Sequence, residues 1–167
     1  MPLVLTGAGA ITGLTSVPSS GLQLADANMP TGSVLQVVQG TYTTYTSSSS
    51  TSYVDSGLST SITPTSSSSK ILVLISQQLM IAGGSQSMIA YLNLVRGSTQ
   101  VWESLNEAIN TYDQGGSGVE MGTLLCLNYL DSPATTSSTT YKTQVKRSGG
   151  SEIRWRSATI TLMEIAA

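Results

Sequence analysis

The chain predicts an all-β protein, an antiparallel β-sandwich, on three observations. From Lys70 to Ala82 runs KILVLISQQLMIA, whose opening Ile71–Ile75 stretch is unbroken apolar, with serines before it and Gly83-Gly84 after it. A short, β-branched, punctuated run of this kind reads as a strand covered on both faces. Other segments alternate apolar and polar residues with a period of two, as in Leu58, Thr60 and Ile62 against Ser59, Ser61 and Thr63. Turn signals fall between these segments at the spacing of sandwich folds, and no stretch holds a helical period.

In order, Met1 to Gly32 stands apart. It carries Pro2, Pro18 and Pro30, frequent glycine, and scattered apolar residues (Leu3, Val4, Leu5, Ile11, Leu14, Val17, Leu22 and Leu24) without a sustained period. It is too apolar for a solvated linker and too punctuated for a domain. The expectation is an extended docking arm over residues 1–32, with a reach on the order of 100 Å if fully stretched. The spacing Gly7-x-Gly9-x-x-x-Gly13 misses the dinucleotide fingerprint by one residue and lacks the lysine of a P-loop, so a turned arm is the plainer reading.

The sandwich domain is expected over residues 33–167. Val34, Leu35, Val37 and Val38 open a strand ending at Gly40, and TYTTYT (41–46) is rich in strand formers. Ser47–Ser50 reads as an exposed loop. The strand around Leu58 ends at Pro64 and a second serine tract. Beyond the central run, Ser87–Val95 and Thr99–Ser104 form a hairpin about Arg96-Gly97-Ser98, and Leu105–Gly118 reads as a polar loop. Val119–Leu130 is a long strand. Thr139–Arg147 and Glu152–Arg156 are expected to form a hairpin about Ser148–Ser151, and Ala158–Ile165 closes the fold. Eight to ten short strands make the pattern that of a jelly-roll sandwich. The central and closing strands each carry apolar residues on both faces, so a second buried surface, a homo-oligomer interface, is expected.

Composition bounds the function. Of 167 residues 40% are hydrophobic and 10% charged, against roughly 25% charged in an average globular domain. A surface so poor in charge suits a chain used up in an assembly. The net charge of −2 gives no global pull toward nucleic acid or acidic lipid. No basic leader precedes an apolar region, and no apolar run reaches the length that spans a bilayer, so assembly in a cytoplasm without membrane insertion is expected. With one cysteine no intrachain disulfide forms, and Cys126, inside Leu124–Leu127, reads as a buried small hydrophobe.

No histidine is present. That removes the Ser-His-Asp triad, the Cys-His pair and the usual zinc ligand sets. No cofactor, metal or catalytic residue is singled out. Glu103 and Glu107, beside Trp102, give a weak sugar-site signal, with solvated loop carboxylates as the plainer reading. No enzymatic activity is expected.

One constellation stands out. Five of the seven basic residues lie between Lys142 and Arg156. With period-two geometry Lys142, Gln144 and Lys146 share a face, as do Arg154 and Arg156, opposite Tyr141, Val145, Ile153 and Trp155. With Arg147 at the turn, these cations form a candidate patch for docking an acidic protein surface, an acidic or sulfated glycan, or phosphate. The plainer alternative is a solvated face balanced by Asp and Glu from a neighbouring strand or subunit.

The segments VPSSGLQL, PTGSVLQVVQG, YVDSGLSTSITPTSSSSKILVLISQ, YLNLVRGST, NYLDSPATTSSTTYKTQVKR and TITLMEI resemble small structural proteins of tailed bacteriophages, from about Ile11 to the end. The most specific parts are Val54–Gln77, the turn at Leu94–Ser98, Leu130–Tyr141 and the last strand. These are fold signatures, so no functional residue is carried over. The resemblance implies a trimeric jelly roll without activity, located in the virion. Its partners would be copies of itself and the major capsid protein or another virion protein. Two roles compete. One is a capsid decoration or cement protein, favoured by a short arm and the lack of a long shaft. The other is a tail-fibre or head-fibre knob that binds a host receptor or glycan. A secreted lectin or C1q-like trimer would be expected to carry a signal peptide.

Overall fold

The computed structural model describes residues 29–84, 86–104, 107–113 and 118–167. The arm residues Leu3, Val4, Leu5, Ile11, Leu14, Val17, Leu22 and Leu24, and the Gly7–Gly13 spacing, lie outside them.

Ten strands and no helix occur among the described residues: β1 (Val34–Tyr42), β2 (Thr46–Ser48), β3 (Val54–Ile62), β4 (Lys70–Gly83), β5 (Gln86–Arg96), β6 (Thr99–Glu103), β7 (Ile109–Asp113), β8 (Val119–Asp131), β9 (Thr139–Ser148) and β10 (Glu152–Ile165). They build two antiparallel sheets packed as a sandwich. The first has the order β1-β10-β4-β8, with β2 also on β10. The second has the order β3-β9-β5-β6, with β7 also on β5.

The central strand behaves as its pattern demands. In β4, Ile71, Val73, Ile75, Leu79 and Ile81 are buried, while Leu72, Leu74 and Met80 on the other face are half-buried. The chain thus covers one face of β4 fully and the other in part. The inward side chains form two apolar clusters, one around Leu58, Ile75, Leu94 and Ile160, the other around Leu79, Leu92, Val145 and Trp155. Between them, Gln77, Thr143 and Ser56 are buried. Leu58 N–H bonds to Ser56 Oγ at 3.2 Å, Ser56 and Thr143 hydroxyls lie 2.5 Å apart, and Thr143 donates to Gln77 Oε1 at 2.8 Å. Because Ser56 accepts from Leu58 and Thr143 donates to Gln77, the Ser56 proton points to Thr143. The indole N–H of Trp155 bonds to Ser56 O at 2.6 Å, so the same spot ties the sheets together twice.

Two irregularities place the side chains. Gly57 sits at φ +85° in a register shift of β3, and a Cβ there would strike the Tyr42 ring, so glycine lets both Ser56 and Leu58 face inward. In β10 the register shifts between Trp155 and Ala158, leaving Arg156 and Ser157 both exposed. Beyond it Ile160, Leu162 and Glu164 face inward, and Met163 and Ile165 share the outer face.

Three expected connections differ. The segment read as one loop over Leu105–Gly118 contains β7, paired with β5. The first serine tract contributes β2 on β10. The β9–β10 hairpin is instead a crossover: β9 pairs with β3 and β5 in one sheet, β10 with β1, β2 and β4 in the other. Adjacent strands with a short glycine turn look alike in sequence whether they pair or change layers. At this crossover Gly149 and Gly150 have φ of +73° and +66°.

Candidate functional site

The crossover separates the candidate cations. Lys142 and Lys146 lie on the outer face of the β3-β9-β5-β6 sheet, whereas Arg154 and Arg156 lie on the outer face of the other sheet. No single patch of five forms. Each also has a local partner. Lys142 meets Asp55 at 2.7 Å, Lys146 meets Glu103 at 3.6 Å, and Arg154 meets both Glu120 and Glu152 at 2.5 Å. Arg147 donates to the carbonyls of Ser49 and Gly150 at 2.8 Å, clamping the serine loop to the crossover. Arg156 reaches Gln78 Oε1 at 3.3 Å.

Directly paired residues in antiparallel strands share a face, so the register describes each outer surface row by row. On the β1-β10-β4-β8 sheet, Val37, Met163, Leu72 and Leu130 stand side by side across four strands. Val37 is 55% and Leu130 51% exposed. Val34 lies beside Ile165 in a neighbouring row, and Leu124 is exposed further along β8. Cys126 is also exposed on this face, aligned with Ser76, contrary to the buried position expected for it. On β8 the alternate residues Leu124, Cys126 and Leu130 point to the outer face and are exposed.

On the opposite sheet the matching row is wholly polar: Asp55, Gln144, Asn93 and Glu103. Its side chains form a continuous hydrogen-bonded chain. Gln144 donates to Asp55 at 2.6 Å; Asn93 donates to Gln100 at 3.0 Å and, more weakly, to Gln144 at 3.5 Å; Gln100 donates to Glu103 at 3.0 Å. Tyr53 donates its hydroxyl to Glu103 at 2.6 Å. The Lys146 ammonium lies over the rings of Tyr53 and Tyr91, 4.3 and 4.7 Å from their centroids. Burial first, then the bond to anionic Glu103, pushes the Tyr53 hydroxyl above its ordinary range. Hydrogen bonds from Lys142 and Gln144 hold Asp55 below the usual carboxylate range, and those from Tyr53 and Gln100 do the same for Glu103. Both acids are therefore charged at neutral pH, balancing the two lysines.

Tyr53, Asn93, Val95, Gln100, Lys142 and Gln144 line an open hollow of about 420 Å³ on this face. Trp102 does not join it. It pairs with Leu94 and packs against the core clusters, on the opposite side of its strand from Glu103. Glu107 bonds instead to Asn110. Among the described residues no group of three potential metal ligands converges. Composition pointed to Lys142 and Lys146; Tyr53, Asn93 and Gln100 join them only once the strands are paired.

No protein-family profile matches the chain. No curated protein matches it either. Among solved structures it is similar to a mutant VP2 protein of infectious bursal disease virus in derived T=1 particles, with TM-score 0.42, 16% identity, and coverage of 87% of this chain and 36% of that one. A VP2 subviral particle of the same virus gives TM-score 0.38, 17% identity, and coverage of 88% and 37%. Dimeric latent PorU from Porphyromonas gingivalis gives TM-score 0.32, 9% identity, and coverage of 83% and 14%. The chain spans little more than a third of the length of these VP2 chains. These likenesses assign no residue a role.

Proposed function

We propose that this chain is a non-enzymatic virion structural protein, a homotrimeric jelly roll that decorates and cements a capsid shell. The observation that carries the reading is the apolar row Val37–Met163–Leu72–Leu130 on an outer face. A free monomer leaves Val37 and Leu130 more than half exposed beside half-buried Leu72 and Met163, although full burial of such a side chain is worth about 1.5–3 kcal/mol. A second copy of the chain, itself poor in charge, is a suitable cover. The strand orders β1-β10-β4-β8 and β3-β9-β5-β6 support the jelly-roll reading, since they interleave two Greek keys. The arm over residues 1–32 would then reach from each knob to the major capsid protein, with the virion as its location.

Light scattering on the purified chain tests the assembly. The expected mass is three times the 17.4 kDa of one chain, and Leu130→Lys or Val37→Lys returns it to one. A compact single copy in the wild type, unchanged by either substitution, sinks the reading. Imaging of particles then separates cement, with hundreds of copies over the shell, from a fibre knob present only at its tips.

A further inference from the structure

We propose that the hollow on the outer face of the β3-β9-β5-β6 sheet binds a neutral oligosaccharide. The planar amides of Gln144, Asn93 and Gln100 line it, and each is held by the next, in a chain whose two ends are anchored beside the hollow by Asp55 and Glu103. A merely solvated face would leave such long side chains free to sample rotamers. Here their directions are set in advance, which lowers the entropy lost on binding. Sugar hydroxyls both donate and accept. The row offers carboxylate acceptors, amides of both kinds and ammonium donors within one small area.

A second observation points to a ligand independently. Asn93 is 2% exposed, lines the hollow, and its Oδ1 has no hydrogen-bond partner among the described residues. A buried amide oxygen left unsatisfied is costly, and a sugar hydroxyl seated beside the held amides of Gln100 and Gln144 would satisfy it. Half-buried Tyr53, also in the lining, supplies an aromatic edge for the C–H face of a sugar ring, above the buried Val95.

Charge decides the class of sugar. Lys142 is paired with Asp55, and Lys146 with Glu103, so among the described residues the face has no surplus cation for sulfate, sialate or phosphate. The hollow lies on the face of the sheet rather than along an edge, which disfavours an added peptide strand. It is also on the far side of the sandwich from the apolar row, so it stands or falls separately from the trimer.

The test titrates the full chain with a panel of neutral linear hexose oligosaccharides, and with sialylated and sulfated ones, by calorimetry and saturation-transfer NMR at low and physiological salt. The expected result is binding of a neutral oligosaccharide that is insensitive to salt. Gln100→Ala and Gln144→Ala should each weaken it about tenfold, whereas Gln39→Ala on the other sheet leaves it unchanged. Circular dichroism checks that each variant folds; Gln100 is exposed, so its variant remains readable if Gln144→Ala does not fold. Three outcomes overturn the proposal: no neutral oligosaccharide binds, only charged ones bind and salt releases them, or binding survives both substitutions.

Discussion

Tyr141 donates its hydroxyl to Asp131 across the sandwich at 2.6 Å, joining β9 of one sheet to the end of β8 in the other. Arg96 grips the same carboxylate with Nη1 at 2.7 and 2.9 Å from its two oxygens. Asp131 is 6% exposed and Tyr141 fully buried. One acid thus anchors three strands at one end of the fold. Burial, followed by this bond, pushes the Tyr141 hydroxyl well above its ordinary range, so it remains a donor at any working pH.

Asp131→Ala is expected to cost about 2–4 kcal/mol, because it strands a buried hydroxyl and a partly buried guanidinium together. Tyr141→Phe removes one bond and should cost about 1 kcal/mol. Urea unfolding measures both. Equal losses for the two variants would show that Asp131 serves Tyr141 alone.

The directed chain Leu58–Ser56–Thr143–Gln77 predicts coupling across the core. Thr143→Val leaves Gln77 Oε1 and the Ser56 hydroxyl without their partner and should cost about 1–3 kcal/mol. Gln77→Leu should cost less, since the buried Gln77 Nε2 has no partner to lose. The double variant is expected to recover part of the loss, with a coupling energy of about 0.5–3 kcal/mol in a double-mutant cycle. Simple additivity would mean that the two side chains do not cooperate.

Glu164 predicts an acid-sensitive contribution to stability. It is fully buried, and burial alone would push its carboxyl up. Bonds from Gln36 Nε2 at 2.6 Å, Thr65 N at 2.7 Å and Thr65 Oγ1 at 2.8 Å outweigh that and hold it below its ordinary 4.5. With the folded value below the unfolded one, the stabilisation is complete above pH 4.5 and fades as pH falls through the folded value. Unfolding free energies for wild type and Glu164→Gln should therefore converge on acidification. A gap that stays constant down to pH 3 would contradict this.

Local pattern made most strands legible. Ile71–Ile75 and Leu58–Ile62 declare their inward faces through branched residues at alternate positions. What eluded the sequence was partnership. Val37 meets Met163, and Asp55 meets Gln144, only because distant strands align in one register. The crossover at Gly149-Gly150 resembles a hairpin turn, and this split the expected basic patch. Strand β7 was hidden because Ile109–Asp113 has few apolar residues and is held at an edge by β5.

Cys126, the sole cysteine, opens to solvent on β8 of the sheet that carries the apolar row. Its sulfur therefore works as a resident gauge. A maleimide dye should attach readily while that surface is bare and slowly once another protein leans on it. Labelling speed against concentration would then turn coverage of this sheet into a colour reading, with no engineered handle required.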